Sequence, residues 1–309
     1  MKLKVNSSEL SKALSHLQGV VELRHTLPIL SNVIIKAEDA QLKLSSTNLD
    51  ILCSEQISAN IDINGEISVP AITLHEIVKK LPHGSDIDIS MDETGNSINI
   101  KSGRSRFNLS TLPTDDFPDI SQDDLSVKFV MSVDDLKTMI DKTKFAISNE
   151  ESRYYLNGIF FHSAHKNGID VLRSVATDGH RLAQYDMPLP HGAEKMSGII
   201  IPKKTTLELR RILDDANGDV QIELSSSKVK FVFSEIELVS KVIDGTFPDY
   251  TKVIPENNDK KLKTNITELK GAIERVSAIA VSEETKSRGL KLVIENNKLQ
   301  LLANSASKG

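Results

Sequence analysis

Three stretches of this 309-residue chain carry the same helix signature in the same phase. Asn6-Ser7-Ser8-Glu9 sets a capping side chain ahead of an acid, and Leu10, Ala13, Leu14 and Leu17 follow at i, i+3, i+4 and i+7. That spacing gathers one apolar stripe on one helix face. Ser132-Val133-Asp134-Asp135 repeats the cap ahead of Leu136, Met139 and Ile140. Asn265-Ile266-Thr267-Glu268 repeats it again ahead of Leu269, Ala272, Ile273 and Val276. A second helix recurs in the first two copies. Val69-Pro70 leads to Thr73-Leu74-His75-Glu76, which reads as a Thr-x-x-Glu capping box before Leu74, Ile77, Val78 and Leu81. Ile201-Pro202 leads in the same way to Thr205-Thr206-Leu207-Glu208, then Leu209, Ile212 and Leu213. Phe117-Pro118-Asp119 and Phe247-Pro248-Asp249 close the two copies alike.

Short alternating or apolar runs between Gly and Asn turns supply strands, among them Gln41-Leu42-Lys43-Leu44, Ile159-Phe160-Phe161 and Lys298-Leu299-Gln300-Leu301. The expected fold is α+β: tandem domains, each with two helices backed by antiparallel sheet. Domain 1 is expected over 1–121, domain 2 over 128–255, and the first half only of domain 3 over 259–309, with short linkers at 121–124 and 255–258. Units with helices on one side and sheet on the other stack edge to edge into an arc. A second copy, added head to tail, closes it into a ring and pairs its open edges. The helices then line the inside, where Lys12, Lys79, Lys80, Lys137, Lys142, Lys203, Lys204, Arg210, Arg211, Lys270 and Arg275 lie outward of the apolar stripes. Those residues read equally well as a solvated mixed-charge face or as a lining that meets phosphates loosely, as sliding requires.

Composition removes several function classes. Cys53 is the only cysteine, so neither an intrachain disulfide nor a Cys-built zinc site can form. No apolar run approaches the roughly 20 residues that cross a bilayer, and the strand-like Met1-Lys2-Leu3-Lys4-Val5 lacks a signal peptide's apolar core. A cytoplasmic location without membrane contact is expected. The net charge of −5 argues against coating nucleic acid by bulk attraction, though not against a basic stripe on one face. Asp178 and His180 could pair as an acid orienting a general base, with Thr177 or Ser174 as nucleophile. A turn shaped by Asp178 and Gly179 is the simpler reading, and no cofactor motif accompanies the pair. His162-x-x-His165 is too sparse for a metal site without further ligands.

A set of motifs then points to a family. Thr26-Leu27-Pro28-Ile29-Leu30, Ser102-Gly103-Arg104-Ser105-Arg106-Phe107, Ser110-Thr111-Leu112-Pro113 and Asp116-Phe117-Pro118 lie in the first copy. Arg153-Tyr154-Tyr155-Leu156-Asn157-Gly158, Ala176-Thr177-Asp178-Gly179-His180-Arg181-Leu182 and Asp244-Gly245-Thr246-Phe247-Pro248-Asp249-Tyr250 lie in the second. With them the chain resembles the beta subunit of bacterial DNA polymerase III, the sliding clamp family. The resemblance implies a ring-shaped homodimer around duplex DNA, a processivity factor without catalytic site or cofactor. It implies as partners the polymerase III alpha subunit, the clamp loader and other proteins with clamp-binding motifs.

By the same resemblance, Arg153, Tyr155, Leu156, Thr177, Gly179, His180, Arg181, Leu182, Pro248 and Val253 form a pocket for linear peptides. Arg24 meets DNA, with Lys79, Lys80, Lys203, Lys204, Arg210 and Arg211 as further candidates. The loop Ser148-Asn149-Glu150-Glu151-Ser152, which meets DNA in the family, carries two acids here and suits phosphate poorly. Arg104, Arg106, Phe107 and Leu109 meet Ile273, Val276 and Ile279 of the partner protomer at the dimer interface. Two other readings stay open: a peptide-binding scaffold that encircles nothing, given a half-length third domain, and a hydrolase using Asp178 and His180.

Overall fold

A computed structural model describes residues 1–22, 27–118, 120, 125–278, 289–295 and 298–303. Arg24, Thr26, Asp119, the 121–124 linker, Ile279 and Ala280 lie outside these residues. The chain divides into a unit over Met1–Pro248, which holds both complete repeats, and a unit over Asp249–Gly309.

The first repeat runs through β1 (Lys2–Asn6), α1 (Ser7–Leu17), β2 (Asn32–Glu38), β3 (Gln41–Thr47), β4 (Ile51–Ser58), β5 (Asn60–Ile63) and β6 (Gly65–Pro70). It continues with α2 (Ala71–Lys79), β7 (Asp86–Met91), β8 (Ser97–Ser102) and β9 (Ser105–Ser110). The second begins with β10 (Val127–Ser132), α3 (Val133–Thr143), β11 (Gly158–Lys166), β12 (Ile169–Thr177) and β13 (Leu182–Pro188). It ends with β14 (Ile199–Pro202), α4 (Lys203–Leu213), β15 (Asp219–Leu224), β16 (Lys228–Phe233) and β17 (Ile236–Lys241).

Caps at the first helix of each repeat form as the sequence predicts. The Asn6 side chain accepts from Ser8 N at 2.9 Å, and Ser132 Oγ accepts from Asp135 N at 3.0 Å. Each bond satisfies an amide that has no partner within the helix. The capping box expected at Thr73 does not form. Here α2 starts at Ala71, with Pro70 as its cap and no side-chain hydrogen bond, and α4 starts in the same way at Lys203 after Pro202. Each proline ends a strand that runs directly into its helix, leaving no spare residue for a capping loop, while its fixed φ suits a helix entry. The threonines find other partners: Thr205 Oγ1 pairs with Ser240 Oγ at 2.7 Å, and Thr206 Oγ1 donates to Pro202 O at 3.0 Å.

The described residues of this unit form three sheets. One has the order β5-β1-β7-β8-β9 and another β13-β12-β11-β14. The third crosses from repeat to repeat in the order β10-β15-β16-β17-β4-β3-β2-β6. Its seam is the antiparallel pair β17–β4, from Ile236↔Glu55 to Ser240↔Ile51. Ile51, Leu52, Cys53, Ser54 and Glu55 are all buried along β4, so this strand lost its alternation when it became interior to a joint sheet. The helices pack as α1 with α2 and α3 with α4, while α1 meets α4 across the seam. A single apolar cluster runs through both repeats, from Met1 to Leu238.

The second unit contains α5 (Ile266–Ser277) and the hairpin β18 (Lys291–Glu295) with β19 (Lys298–Leu302). Asn265 caps α5 by accepting from Thr267 N at 2.9 Å, as the sequence predicts. Its stripe, however, contains no buried residue, and Ile266 is 81% exposed. Among the described residues the layer beside it is one two-stranded hairpin, too small to cover an apolar helix face. No helix of the described residues is long and apolar enough to cross a membrane.

Candidate functional site

The segment Asp178-Gly179-His180-Arg181 is the turn between β12 and β13, and β13 is an edge strand of its sheet. Thr177 Oγ1 donates to Arg181 O at 2.8 Å and accepts from Gly179 N at 3.1 Å. Asp178 Oδ1 accepts from the backbone N–H groups of His180 and Arg181, each at 3.0 Å. Asp178 Oδ2 accepts from Arg181 Nε at 3.0 Å. Partial burial pushes the Asp178 carboxyl up, but the amides of Arg181 and His180 and the Arg181 guanidinium outweigh it and hold it below the ordinary range. This carboxylate therefore shapes a turn and does not orient the His180 ring. The acid–base pairing that a hydrolase needs is not made.

Gly179 is required by its backbone conformation, and its lack of a side chain lets Arg153 come close. Its φ of +86° is open to glycine and costly for other residues, and a Cβ there would stand 2.6 Å from Arg153 Nη1. The close approach joins the two motifs. Arg153 lies in the 3₁₀ segment Glu151–Leu156 and is held by Glu150 through Nε at 2.8 Å. Leu156 is buried, and its carbonyl accepts from Ser148 N at 3.1 Å. Tyr155 meets Tyr154 edge to face, with centroids 5.8 Å apart, and Leu182 is half-buried on β13. Phe247 stacks on Phe160 at 4.8 Å and leaves Pro248 exposed at the end of the first unit. Val253 belongs to the second unit and is 67% exposed. The two histidines read as a sparse metal pair have separate partners: His162 Nδ1 bonds Ser163 O at 2.8 Å, and His165 Nδ1 pairs with Asp170 at 2.9 Å. Among the described residues no group of three or more His, Cys, Asp or Glu could hold a metal ion.

The basic helix residues divide by what they already touch. Lys79 and Lys80 are exposed at the end of α2. Lys203 bonds the Asn149 side chain, and Lys204 Nζ pairs with Glu22 at 2.5 Å. Arg210 is held by Asp141 at 2.9 Å and Asp214 at 2.5 Å. Arg211 donates to the carbonyls of Ser15 and His16 at 2.6 and 2.8 Å and pairs with Glu208. Its guanidinium ties α4 to the end of α1, within the protein.

Beside Arg211 lies a cluster that the spacing of residues did not announce. His16 is 2% exposed; its Nδ1 meets Glu55 Oε2 at 2.8 Å and its Nε2 meets Asp215 Oδ2 at 3.0 Å. Burial works against the charged ring, but the two carboxylates outweigh it and raise His16 above its ordinary value of 6.5. One buried histidine on an apolar stripe gives no sequence signal, because its partners are 39 and 199 residues away.

At the far edge of the first repeat, β9 has β8 on one side and is an edge strand. Arg104, in the turn before β9, and Arg106 on it are exposed, while Phe107 and Leu109 are half-buried against the core. On α5, Ile273 is 36% exposed and Val276 half-buried.

Residues 1–121 match the family of the DNA polymerase III beta subunit, N-terminal domain, and residues 130–249 match that of its central domain. The beta sliding clamp of Caulobacter vibrioides is 45% identical over 309 residues, which is 100% of this chain and 82% of the relative. That of Escherichia coli K12 is 35% identical over 306 residues, 99% of this chain and 81% of the relative. Among solved structures, a Bartonella birtlesii sliding clamp bound to griselimycin superposes with a TM-score of 0.95 at 45% identity, covering 100% of this chain and 82% of that one. A Pseudomonas aeruginosa clamp bound to griselimycin gives a TM-score of 0.91 at 37% identity, covering 100% and 82%.

Proposed function

The chain belongs to the bacterial DNA polymerase III beta subunit family, the beta sliding clamps, and we propose that the Asp178–Arg181 turn is where it docks its partners' peptides. Its function is that of a DNA sliding clamp: it encircles duplex DNA and keeps the replicative polymerase on its template. It docks peptides of the polymerase III alpha subunit and the clamp loader. It acts by topology, in the cytoplasm, without a catalytic site or cofactor of its own, and nucleotide hydrolysis belongs to the loader.

One observation supports the docking assignment. Gly179 leaves the turn without a side chain, and what lies against its bare backbone is the end of the flexible Arg153 side chain, which an incoming peptide can displace. Arg153, Tyr155, Leu156, Thr177, His180, Arg181, Leu182 and Pro248 complete the set within the first unit. The domains run over 1–121 and 128–255, with the first half of domain 3 over 259–309. DNA contact falls first to Lys79 and Lys80, exposed at the end of α2, with Arg24, Lys203, Lys204, Arg210 and Arg211 as further candidates, the last four of which also serve the protein's own contacts. Dimerisation sets β9, with Arg104, Arg106, Phe107 and Leu109, against Ile273, Val276 and Ile279 of the partner protomer.

Two measurements test this reading. Loaded onto nicked circular DNA, the protein stays bound until the circle is linearised and then slides off; equal retention on both forms overturns encirclement. Leu182→Ala weakens binding of an alpha-subunit peptide, read by fluorescence polarisation, by about tenfold, the loss of one apolar anchor contact. Unchanged affinity removes the docking role.

A further inference from the structure

Phe145 has no part in the site described above, and its surroundings give it one. It lies in the 3₁₀ turn Lys144–Ala146 directly after α3, beside β12 and β13. Its neighbours in sequence, Ala146 and Ile147, are buried, but Phe145 is 56% exposed. The Arg181 guanidinium carbon stands 5.8 Å from its ring centroid, within cation–π range. That guanidinium is also fixed by Asp178, which accepts from Nε at 3.0 Å. Its terminal amino groups have no hydrogen-bond partner among the described residues, and the side chain is 59% exposed.

The result is a planar cation held in place by a carboxylate and an aromatic ring, with free donors aimed at solvent. Such a fork accepts a carboxylate, and the exposed ring packs the aliphatic stem that carries it. The pair also borders the docking turn: Leu182 directly follows Arg181, and Ser148, three residues after Phe145, is bonded to Leu156. Aromatic and arginine side chains together are the residue types that dominate peptide and protein interfaces.

We propose that Phe145 and Arg181 form one subsite that selects an acidic residue flanking the apolar anchor of the docked peptide. This rests on the docking role given to the turn. Peptides copied from the clamp-binding segment of the polymerase III alpha subunit test it, with a single Glu or Gln placed in turn at each position flanking the anchor. At one position Glu binds about five- to tenfold tighter than Gln in low salt, a preference that added salt reduces. Phe145→Ala cuts the preference to about twofold or less, Phe145→Tyr retains it, and Arg181→Lys, which keeps charge but not the planar fork, also lowers it. Thermal midpoints of the variants near that of the parent show that the exposed ring is not needed for folding. An undiminished Glu preference in Phe145→Ala overturns the subsite, as does the lack of any preference while the parent peptide binds normally. If Leu182→Ala leaves the parent peptide unaffected, the docking role itself fails and the subsite goes with it.

Discussion

The two complete repeats contain the same turn, used in opposite ways. In the first, Thr47 Oγ1 donates to Ile51 O at 2.8 Å and accepts from Leu49 N at 3.2 Å. Asn48 Oδ1 accepts from Asp50 N at 3.2 Å and Ile51 N at 2.8 Å. Thr177, Asp178, Gly179, His180 and Arg181 make the corresponding bonds in the second. The third residue is left-handed in both, with φ of 77° at Leu49 and 86° at Gly179. In the first repeat a leucine accepts that conformation, at a strain of roughly 1–2 kcal/mol, and packs with Phe117 against Ile29, Leu30 and Ile34. Burying part of a leucine side chain offsets a strain of that size. In the second repeat the position is bare, and the Arg153 guanidinium lies over it. One scaffold therefore yields a turn filled by its own leucine and a turn whose bare backbone is covered only by the end of a flexible arginine.

Exchanging residues between the turns tests that contrast. Gly179→Leu carries the first turn's plug into the second, where it strains the left-handed backbone, displaces the Arg153 guanidinium and removes the bare backbone. Peptide affinity should fall by about a hundredfold or more, roughly 2.7 kcal/mol, in fluorescence polarisation; an unchanged affinity would mean that the open position is not what admits the peptide. The reverse change, Leu49→Gly, removes apolar packing and relieves the left-handed strain together. The net loss should be about 1 kcal/mol, read from the denaturant midpoint, with no peptide binding gained at the first turn.

The third test concerns the seam that joins the repeats. His16 has a raised pKa in the folded protein, so its contribution is complete below its unfolded value of 6.5 and is lost as pH rises through the folded value. Thermal midpoints of the wild type should therefore decline over that window, and a variant with His16→Gln should lack the decline. Matching pH profiles for the two would show that Glu55 and Asp215 do not hold a charged ring. The smallest effect belongs to Asp178→Asn, which installs the first turn's Asn48. Its amide oxygen still accepts both backbone bonds, and only the exposed pair with Arg181 is lost, so stability should change by about 0.5 kcal/mol or less. A larger drop in a melting experiment would mean that the carboxylate charge, not the turn geometry, holds this segment.

Much of this was legible without coordinates, and the particular residues show why. Caps at Asn6, Ser132 and Asn265 and the stripes behind them are local: each side chain reaches an amide two or three residues away. The Asp178 turn is local for the same reason. The starts of α2 and α4 were misread because a Thr-x-x-Glu pattern competes poorly with a proline that already ends a strand. Helix α5 repeats the signature of α1, yet none of its residues is buried. A stripe states which face will be buried, and only the layer beside it decides how far.

Residue order alone therefore settled the repeat, the phase of the helices and the bonding of the turns, since periodicity and short-range hydrogen bonds are properties of neighbouring residues. The folded chain decided which turn is plugged by its own leucine, that Arg153 covers Gly179, that Arg211 is held by the carbonyls of α1, and that β17 joins β4 into one sheet. Each of these depends on groups that meet only after distant segments have packed, where the shape of the partner, and not the pattern of the sequence, selects the contact.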